Sequence, residues 1–261
     1  VHYEGNGPIS VPICPHCDEW WETCYEEIAK LIELGLDGVQ LDLLALTPMF
    51  CYADNHGHKP GALPIGRYFE QLANLRAKLK ALKPDFLLCG EECPDVYYQY
   101  VDMPYSRYRN NSGYEIFHYT FPEVIENVAV DACAYDQANK ALLLGYGLNT
   151  EMWVLKKSLL DAGPLFMDYI DGIVKLKRKY PEFLIRGTFI DTLGATVTGG
   201  VKYGVHEGPD GLAVVLWNNG NEAADCTVRF EDDRLRDCIV CVPGEPEEVA
   251  VELAGSALER G

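Results

Sequence analysis

The eight residues Gly38–Ala45 (GVQLDLLA) constrain the fold more than any other stretch of the chain. The run is apolar enough to predict a buried strand, and it carries a single carboxylate, Asp42, towards its carboxyl end. A charge within an apolar strand costs stability unless it is paired, hydrogen-bonded or open to a cleft. Asp42 is therefore the first candidate for a residue with a chemical role.

Helices and strands alternate around this run. Asp18 predicts the start of an amphipathic helix that ends near Gly35, directly before the strand. A second helix is expected over residues Ile65–Leu82, followed by a second apolar strand, Asp85–Gly90, and the doublet Glu91-Glu92. Such alternation is typical of a parallel α/β sheet.

The alternation is less regular after the doublet. Residues Tyr114–Tyr119 predict a short strand, and Ala141–Gly147 form a fourth apolar run that also favours a strand. A clear amphipathic helix is predicted over Pro164–Lys179.

The character of the sequence changes after Phe183. Short β-rich segments separated by turn residues predict an antiparallel β domain. The segments are Thr188–Val197, Val201–His206, Leu212–Asn218, Ala224–Phe230, Cys238–Val242 and Val249–Leu253.

These patterns predict an α/β fold, a partial TIM-type (β/α)8 barrel over residues 1–186 followed by a C-terminal antiparallel β-sandwich domain over residues 187–261. A complete barrel needs eight strands in about 250 residues. We therefore expect the chain to begin within the third βα unit, with the first strands in a missing N-terminal segment or a second chain. A smaller open α/β sheet is the alternative.

The net charge of −18, from 40 acidic and 22 basic residues, argues against nucleic acid as a partner. No apolar run approaches the length of a membrane helix, and residues 1–10 lack the pattern of a signal peptide. The sequence thus predicts a soluble protein without a membrane partner and leaves its compartment unknown.

The ten cysteines are spaced irregularly. Cys14-Pro15-His16-Cys17 has the spacing of a zinc motif, but the only other CxxC, Cys238–Cys241, lies far away in a different kind of sequence. Buried free thiols, or local disulfides such as Cys14 with Cys51, are favoured over a structural metal.

Two successive predicted strands end in carboxylates. Side chains at the ends of neighbouring parallel strands, about 4.8 Å apart, can reach the separation of about 5 to 5.5 Å found in retaining glycosidases. Asp42 would form such a pair with Glu91, or alternatively with Glu92. Either carboxylate alone is as well explained as a cap of the next element; together they favour catalysis on a carbohydrate.

The long polar loop from Thr47 to Pro64 and the aromatic residues near the strand ends offer further contacts to a sugar. The candidate substrate-binding residues are Asp54, His56, His58, Tyr52, Tyr119 and Trp153. No metal and no other cofactor is predicted. A metal-dependent hydrolase using His56, His58 and Asp42 is one alternative function, and a non-catalytic carbohydrate-binding protein is another.

Several motifs resemble a family of largely uncharacterised bacterial glycoside-hydrolase-like barrel proteins. They are Cys14-Pro15 with Trp20-Trp21, Gly35–Asp42, Cys51-Tyr52 through His56–Gly61, and Cys89–Glu92. An Asp and a Glu on successive strands are also similar to the α-amylase class and to endo-α-N-acetylgalactosaminidases.

The resemblance implies that Asp42 is the nucleophile, that Glu91 is the acid/base and that His56 and His58 line the site. A third carboxylate such as Glu151 matches no motif. The expected activity is that of a retaining glycosidase acting on an α-linked oligosaccharide or glycan, without a cofactor.

Overall fold

The computed structural model describes residues 13–42, 49–55, 57–91, 95–106, 114–150, 159–231, 237–243, 249–252 and 257–260. The chain divides into two compact units, Val1–Pro104 and Tyr105–Gly261. None of the described helices is both long and apolar enough to span a membrane.

Unit 1 alternates helix and strand, as predicted. Its elements are α1 (Asp18–Glu33), β1 (Gly38–Leu41), α2 (Ile65–Leu82), β2 (Leu87–Glu91), a 3-10 helix (Asp95–Gln99) and the start of β3 (Met103–Ser106). Strands β1 and β2 are parallel, with Gly38 opposite Leu87 and Leu41 opposite Gly90. Gly35, at φ +91°, follows α1 in the left-handed conformation that favours glycine.

The core of unit 1 lies between the two helices and one face of the two strands. Its buried residues include Ile28 on α1, Leu79 on α2 and Leu88 on β2. Val39 and Leu41 of β1 pack against the same cluster. The helices therefore cover the face of β1 to which these alternate residues point.

An ion-pair network ties α2 to the strands at the amino end of β2. Asp102 lies 2.6 Å from Arg76 and 3.0 Å from Lys80, and it accepts a 2.9 Å hydrogen bond from the Leu88 amide. Partial burial alone would raise the pKa of the Asp102 carboxyl. The hydrogen bond from the Leu88 amide and the two cations nevertheless hold this pKa below its usual value.

Unit 2 continues with parallel strands and then changes to antiparallel ones. After β3 come α3 (Tyr114–Thr120), β4 (Asn127–Val130), α4 (Tyr135–Leu144), β5 (Gly147–Thr150), a 3-10 helix (Leu159–Ala162), α5 (Pro164–Lys179) and α6 (Pro181–Leu184). Strand β4 pairs in parallel with both β3 and β5. The parallel sheet has five strands in the order β1-β2-β3-β4-β5.

Eight antiparallel strands follow in the described part of the chain. They are β6 (Thr188–Phe189), β7 (Ala195–Thr198), β8 (Lys202–Gly208), β9 (Gly211–Trp217), β10 (Cys226–Phe230), β11 (Asp237–Val240), β12 (Val249–Glu252) and β13 (Ala257–Arg260). They form three sheets, ordered β13-β10-β7, β11-β12 and β6-β8-β9. The predicted partial α/β barrel followed by antiparallel structure is confirmed. The sandwich arrangement and the boundary after residue 186 stay predictions.

Two predicted strands were wrong. Residues Tyr114–Tyr119 lie in the helix α3, where His118 is buried between the rings of Tyr146 and Phe189. Tertiary packing thus overrides the β propensity of an aromatic segment.

The other wrong strand is the apolar run Ala141–Gly147. It contains the last turn of α4, a left-handed Gly145 at φ +79° and the first residue of β5. Ala141–Leu144 are all apolar and all buried, so this end of the helix has no polar face. A short apolar run of that kind does not distinguish a helix from a strand.

The strand that carries Asp42 is shorter than predicted. Strand β1 ends at Leu41, and Asp42 lies in an exposed turn directly after it rather than inside a buried strand. Residues 43–48 lie outside the described part of the chain.

Candidate active site

The register of β1 and β2 brings the two candidate catalytic carboxylates next to each other. Leu41 is paired with Gly90, so the next residues along the two strands are Asp42 and Glu91. Neighbouring parallel strands lie about 4.8 Å apart. The two carboxylates therefore stand at the carboxyl ends of adjacent strands, the position at which barrel enzymes carry their catalytic groups.

The alternation of side chains along β2 places Glu91 on the face of the sheet opposite the helices. Leu41 and Leu88 point to the core beneath the helices. Residues one position away along each strand point to the opposite face, so Cys89 is followed on that face by Glu91.

Asp42 and Glu91 differ in their exposure. Glu91 is only 7% exposed, whereas Asp42 is exposed to solvent. Burial, together with the nearby charge of Glu91, raises the pKa of the Cys89 thiol to about 11. Cys89 is therefore a neutral thiol at pH 7 and not an activated nucleophile.

The loop after β1 presents part of the predicted substrate-binding set. Tyr52 is 75% exposed, and Asp54 is also exposed. His58 is half-buried; its Nε2 lies 3.2 Å from Cys14 Sγ, and its ligand atom lies within 4.8 Å of Cys51 Sγ.

Tyr119 belongs to unit 2. It is half-exposed on α3, its ring lies 5.4 Å from that of Phe189, and its hydroxyl donates a 3.4 Å hydrogen bond to Asp191. The remaining predicted site residues, Glu92, His56, Trp153 and the weaker candidate Glu151, lie outside the described residues.

Of the two alternatives predicted for the cysteines, the structure has free thiols and not a Cys14–Cys51 disulfide. Both residues are free thiols, as are the other described cysteines. The prediction was right that the two sulfurs lie close together, but they share their surroundings with His58: the three ligand atoms all lie within 4.8 Å of one another. This is the group of described residues best suited to hold a metal ion, and it does not include Asp42.

The Cys14–His58 contact does not by itself make an activated thiol. Cys14 Sγ lies 3.2 Å from His58 Nε2, but burial raises the pKa of the Cys14 thiol. An activated cysteine needs a lowered pKa, so the metal-free pair is a poor nucleophile.

Sequence reasoning missed one strand-end carboxylate, Asp131. It follows β4 directly, as Asp42 follows β1. Asp131 Oδ2 accepts a 3.2 Å hydrogen bond from the Gln137 amide, while its Oδ1 is buried without a hydrogen-bond partner among the described residues. The segment NVAVD repeats the apolar-run-then-Asp pattern of VQLD, which was the available signal.

The amino-terminal half of the chain matches a known family model. Residues 3–137 match "Domain of unknown function (DUF6259)". The chain belongs to this family. The matched segment includes both Asp42 and Glu91, and so the candidate site lies within the DUF6259 region. No functionally curated protein matches the chain.

Solved structures similar to this DUF6259 protein include two α-amylases. The α-amylase GTA from Geobacillus thermoleovorans, complexed with acarbose, is 16% identical with a TM-score of 0.57, and the alignment covers 95% of this chain and 63% of the amylase. The noncanonic maltogenic α-amylase AmyB from Thermotoga neapolitana is 12% identical with a TM-score of 0.59, and the coverage is 95% and 65%.

The chain thus spans less than two thirds of the length of either amylase. At these identities the likeness concerns the fold. It confirms the predicted distant similarity to the α-amylase class and the predicted barrel architecture.

Proposed function

We propose that this DUF6259 protein is a retaining glycoside hydrolase that acts on an α-linked oligosaccharide or glycan. The observation that supports the proposal is the register of β1 and β2, in which Leu41 pairs with Gly90 and the next residues along the chain are Asp42 and Glu91. The fold shared with two α-amylases supports the choice of an α-linked substrate.

In this mechanism Asp42 is the nucleophile and Glu91 the general acid/base. Asp42 attacks the anomeric carbon, and Glu91 gives its proton to the leaving oxygen, which forms a covalent glycosyl-enzyme. Glu91 then removes a proton from water, which attacks the anomeric carbon and releases Asp42. The different exposure of the two residues supports these roles, since the acid and the nucleophile of a retaining glycosidase stand in different surroundings.

Tyr52 and Asp54 are proposed as contacts to the sugar because they are exposed on the loop that follows the nucleophile strand. An exposed tyrosine ring offers a stacking surface, and a carboxylate accepts hydrogen bonds from hydroxyl groups.

The test uses aryl α-glycosides with a good and a poor leaving group. Asp42→Asn should lower kcat/KM by more than about 10³-fold on both, because the nucleophile is needed whatever group leaves. Glu91→Gln should lower it by about 10² to 10⁴-fold on the poor leaving group and much less on the good one, since only the poor one needs a proton.

Asp37→Asn is the matched control. Asp37 is an exposed carboxylate at the opposite, amino end of β1, where it pairs with Lys83 at 2.5 Å. This variant should keep wild-type activity. Full activity in Asp42→Asn would contradict the assignment of the nucleophile, and a product of inverted anomeric configuration, seen by proton NMR, would contradict retention.

Binding of an α-glucan without any turnover by the wild-type protein would instead favour the non-catalytic carbohydrate-binding alternative. In that case Asp42→Asn should leave the affinity nearly unchanged.

A further inference from the structure

Cys14, Cys51 and His58 converge although they come from two separate parts of unit 1. Cys14 lies in the turn before α1, and the other two lie on the loop that follows β1. Their ligand atoms all lie within 4.8 Å of one another, and Cys14 Sγ is 3.2 Å from His58 Nε2. In a tetrahedral zinc site, with bonds of about 2.3 Å to sulfur and 2.0 Å to nitrogen, these two atoms would be about 3.5 Å apart. The Cys14 and His58 side chains would need to move apart by only a few tenths of an ångström to bind a zinc ion together.

His58 is oriented as a metal ligand usually is. Its Nδ1 donates a 2.8 Å hydrogen bond to the Lys59 carbonyl. With the proton on Nδ1, the lone pair of Nε2 faces Cys14. A backbone carbonyl that accepts from the other ring nitrogen is the common way in which proteins fix the tautomer of a metal-binding histidine.

Backbone hydrogen bonds hold the two cysteines in place independently of any metal. The Cys51 amide donates to the Ala62 carbonyl at 2.9 Å, and the Gly61 amide donates to the Cys51 carbonyl at 2.7 Å. The Cys17 amide donates to the Cys14 carbonyl at 2.9 Å, which closes the turn before α1. The two cysteines therefore stand on preformed turns.

We propose that Cys14, Cys51 and His58 bind a zinc ion that fastens the loop after β1 to the turn before α1. Two thiolates and an imidazole suit zinc, whereas calcium and magnesium prefer oxygen ligands. The group of converging ligand atoms does not include Cys17, whose Sγ lies 3.7 Å from Glu19 Oε2. The site is independent of the proposed glycosidase chemistry, because none of its ligands takes part in the carboxylate mechanism.

The first test is the zinc content of the full chain, purified under reducing conditions from zinc-supplemented cells. About one zinc per chain is expected in the wild type. Cys14→Ser, Cys51→Ser and His58→Ala should each weaken zinc binding by more than about 100-fold, the upper range for loss of a mere supporting contact. Cys133→Ser is the matched control, because Cys133 is exposed, hydrogen-bonded to the Ala162 carbonyl and outside the cluster. It should keep its zinc.

A second measurement does not depend on the folding of the variants. Cobalt added to the metal-free wild-type chain should give thiolate-to-cobalt charge-transfer absorption and the visible spectrum of a tetrahedral site, and zinc should abolish both. Metal-free reduced wild type that gives no such spectrum would overturn the proposal. Zinc retained by both Cys14→Ser and Cys51→Ser would overturn it as well. Asp42→Asn should keep its zinc, which separates this proposal from the proposed activity.

Discussion

His206 and His118 are buried histidines that share one aromatic cluster in unit 2. The His206 ring lies 5.3 Å from Phe189, and the His118 ring stacks on the same phenylalanine at 4.8 Å. His206 Nε2 lies 3.0 Å from the Leu143 carbonyl. Burial, together with the charge of nearby Lys177, lowers the pKa of both residues to about 4. Both histidines are therefore neutral in the folded protein at pH 7.

We expect acid to destabilise the protein through these residues. Between pH 6.5 and 4 an unfolded histidine binds a proton that the folded one does not, so the free energy of unfolding falls as the pH falls. A shift from 6.5 to about 4 corresponds to about 3 kcal/mol for His206 at the acid end of this window. His206→Gln should make the fall in urea-unfolding free energy less steep across it.

Above pH 7.5 the unfolding free energies of the wild type and of His206→Gln should depend equally on pH. The reason is that neither histidine is protonated there, whether the protein is folded or unfolded. A variant that loses stability between pH 6.5 and 4 as steeply as the wild type would contradict the role of His206. Glutamine keeps an N–H group for the Leu143 carbonyl, so loss of the hydrogen bond would not confuse the comparison.

Helix α2 shows how one element anchors the strands of the candidate site. Leu79 is fully buried against Phe86 and Leu88, whereas Leu82, one turn further on, is 50% exposed. The buried face of α2 thus supports β2, the strand that ends in Glu91.

Leu79→Ala should lower the free energy of unfolding by about 2 to 5 kcal/mol, because it removes buried methyl groups and leaves a cavity. Leu82→Ala, the same substitution on the exposed face, should change it by less than about 1 kcal/mol. Urea unfolding would check both values, provided that the unfolding free energy depends equally steeply on urea concentration in the wild type and the variants. Equal costs at the two positions would contradict the assignment of the buried face.

How well an element could be predicted depended on its length and pattern. Helices α2 and α5 begin and end where their 3.6-residue periodicity indicated, at Ile65–Leu82 and Pro164–Lys179. Strands β3 and β4 have only four residues each and carry too little pattern to predict. The helices α3 and α4 were misread because packing within unit 2, not local propensity, decides their conformation.

The parts of the candidate site that show in the local sequence could be predicted. The parts that depend on contacts between distant segments could not. Asp42 and Glu91 could be found because each follows an apolar run. The group of Cys14, Cys51 and His58 could be predicted only in part, since the sequence suggested Cys14 with Cys51 as one alternative but did not join His58 to them. Their meeting depends on the bridge between Cys51 and Ala62, which is a product of the folded loop.

At the scale of the whole molecule, the buried apolar residues fall into clusters that each belong to one unit. Two clusters lie in unit 1, around Leu79 and Leu72, and three lie in unit 2, around Ile173, Tyr146 and Val205. These are the clusters among the described residues. Burial of apolar side chains is the main source of folding stability. Each unit therefore has its own stabilising core.

We therefore expect core substitutions to act within their own unit. Hydrogen exchange measured by mass spectrometry should speed up in α2 and β2, but not in α5, for Leu79→Ala. Ile173→Ala should do the reverse, because Ile173 is fully buried in a cluster with Val130 and Phe166. Opening free energies differ between cooperative units of one protein, and exchange reports each of them separately. In the double variant the two effects should simply coexist, as for independent sites. Faster exchange throughout both units in either single variant would show instead that the chain unfolds as one cooperative body.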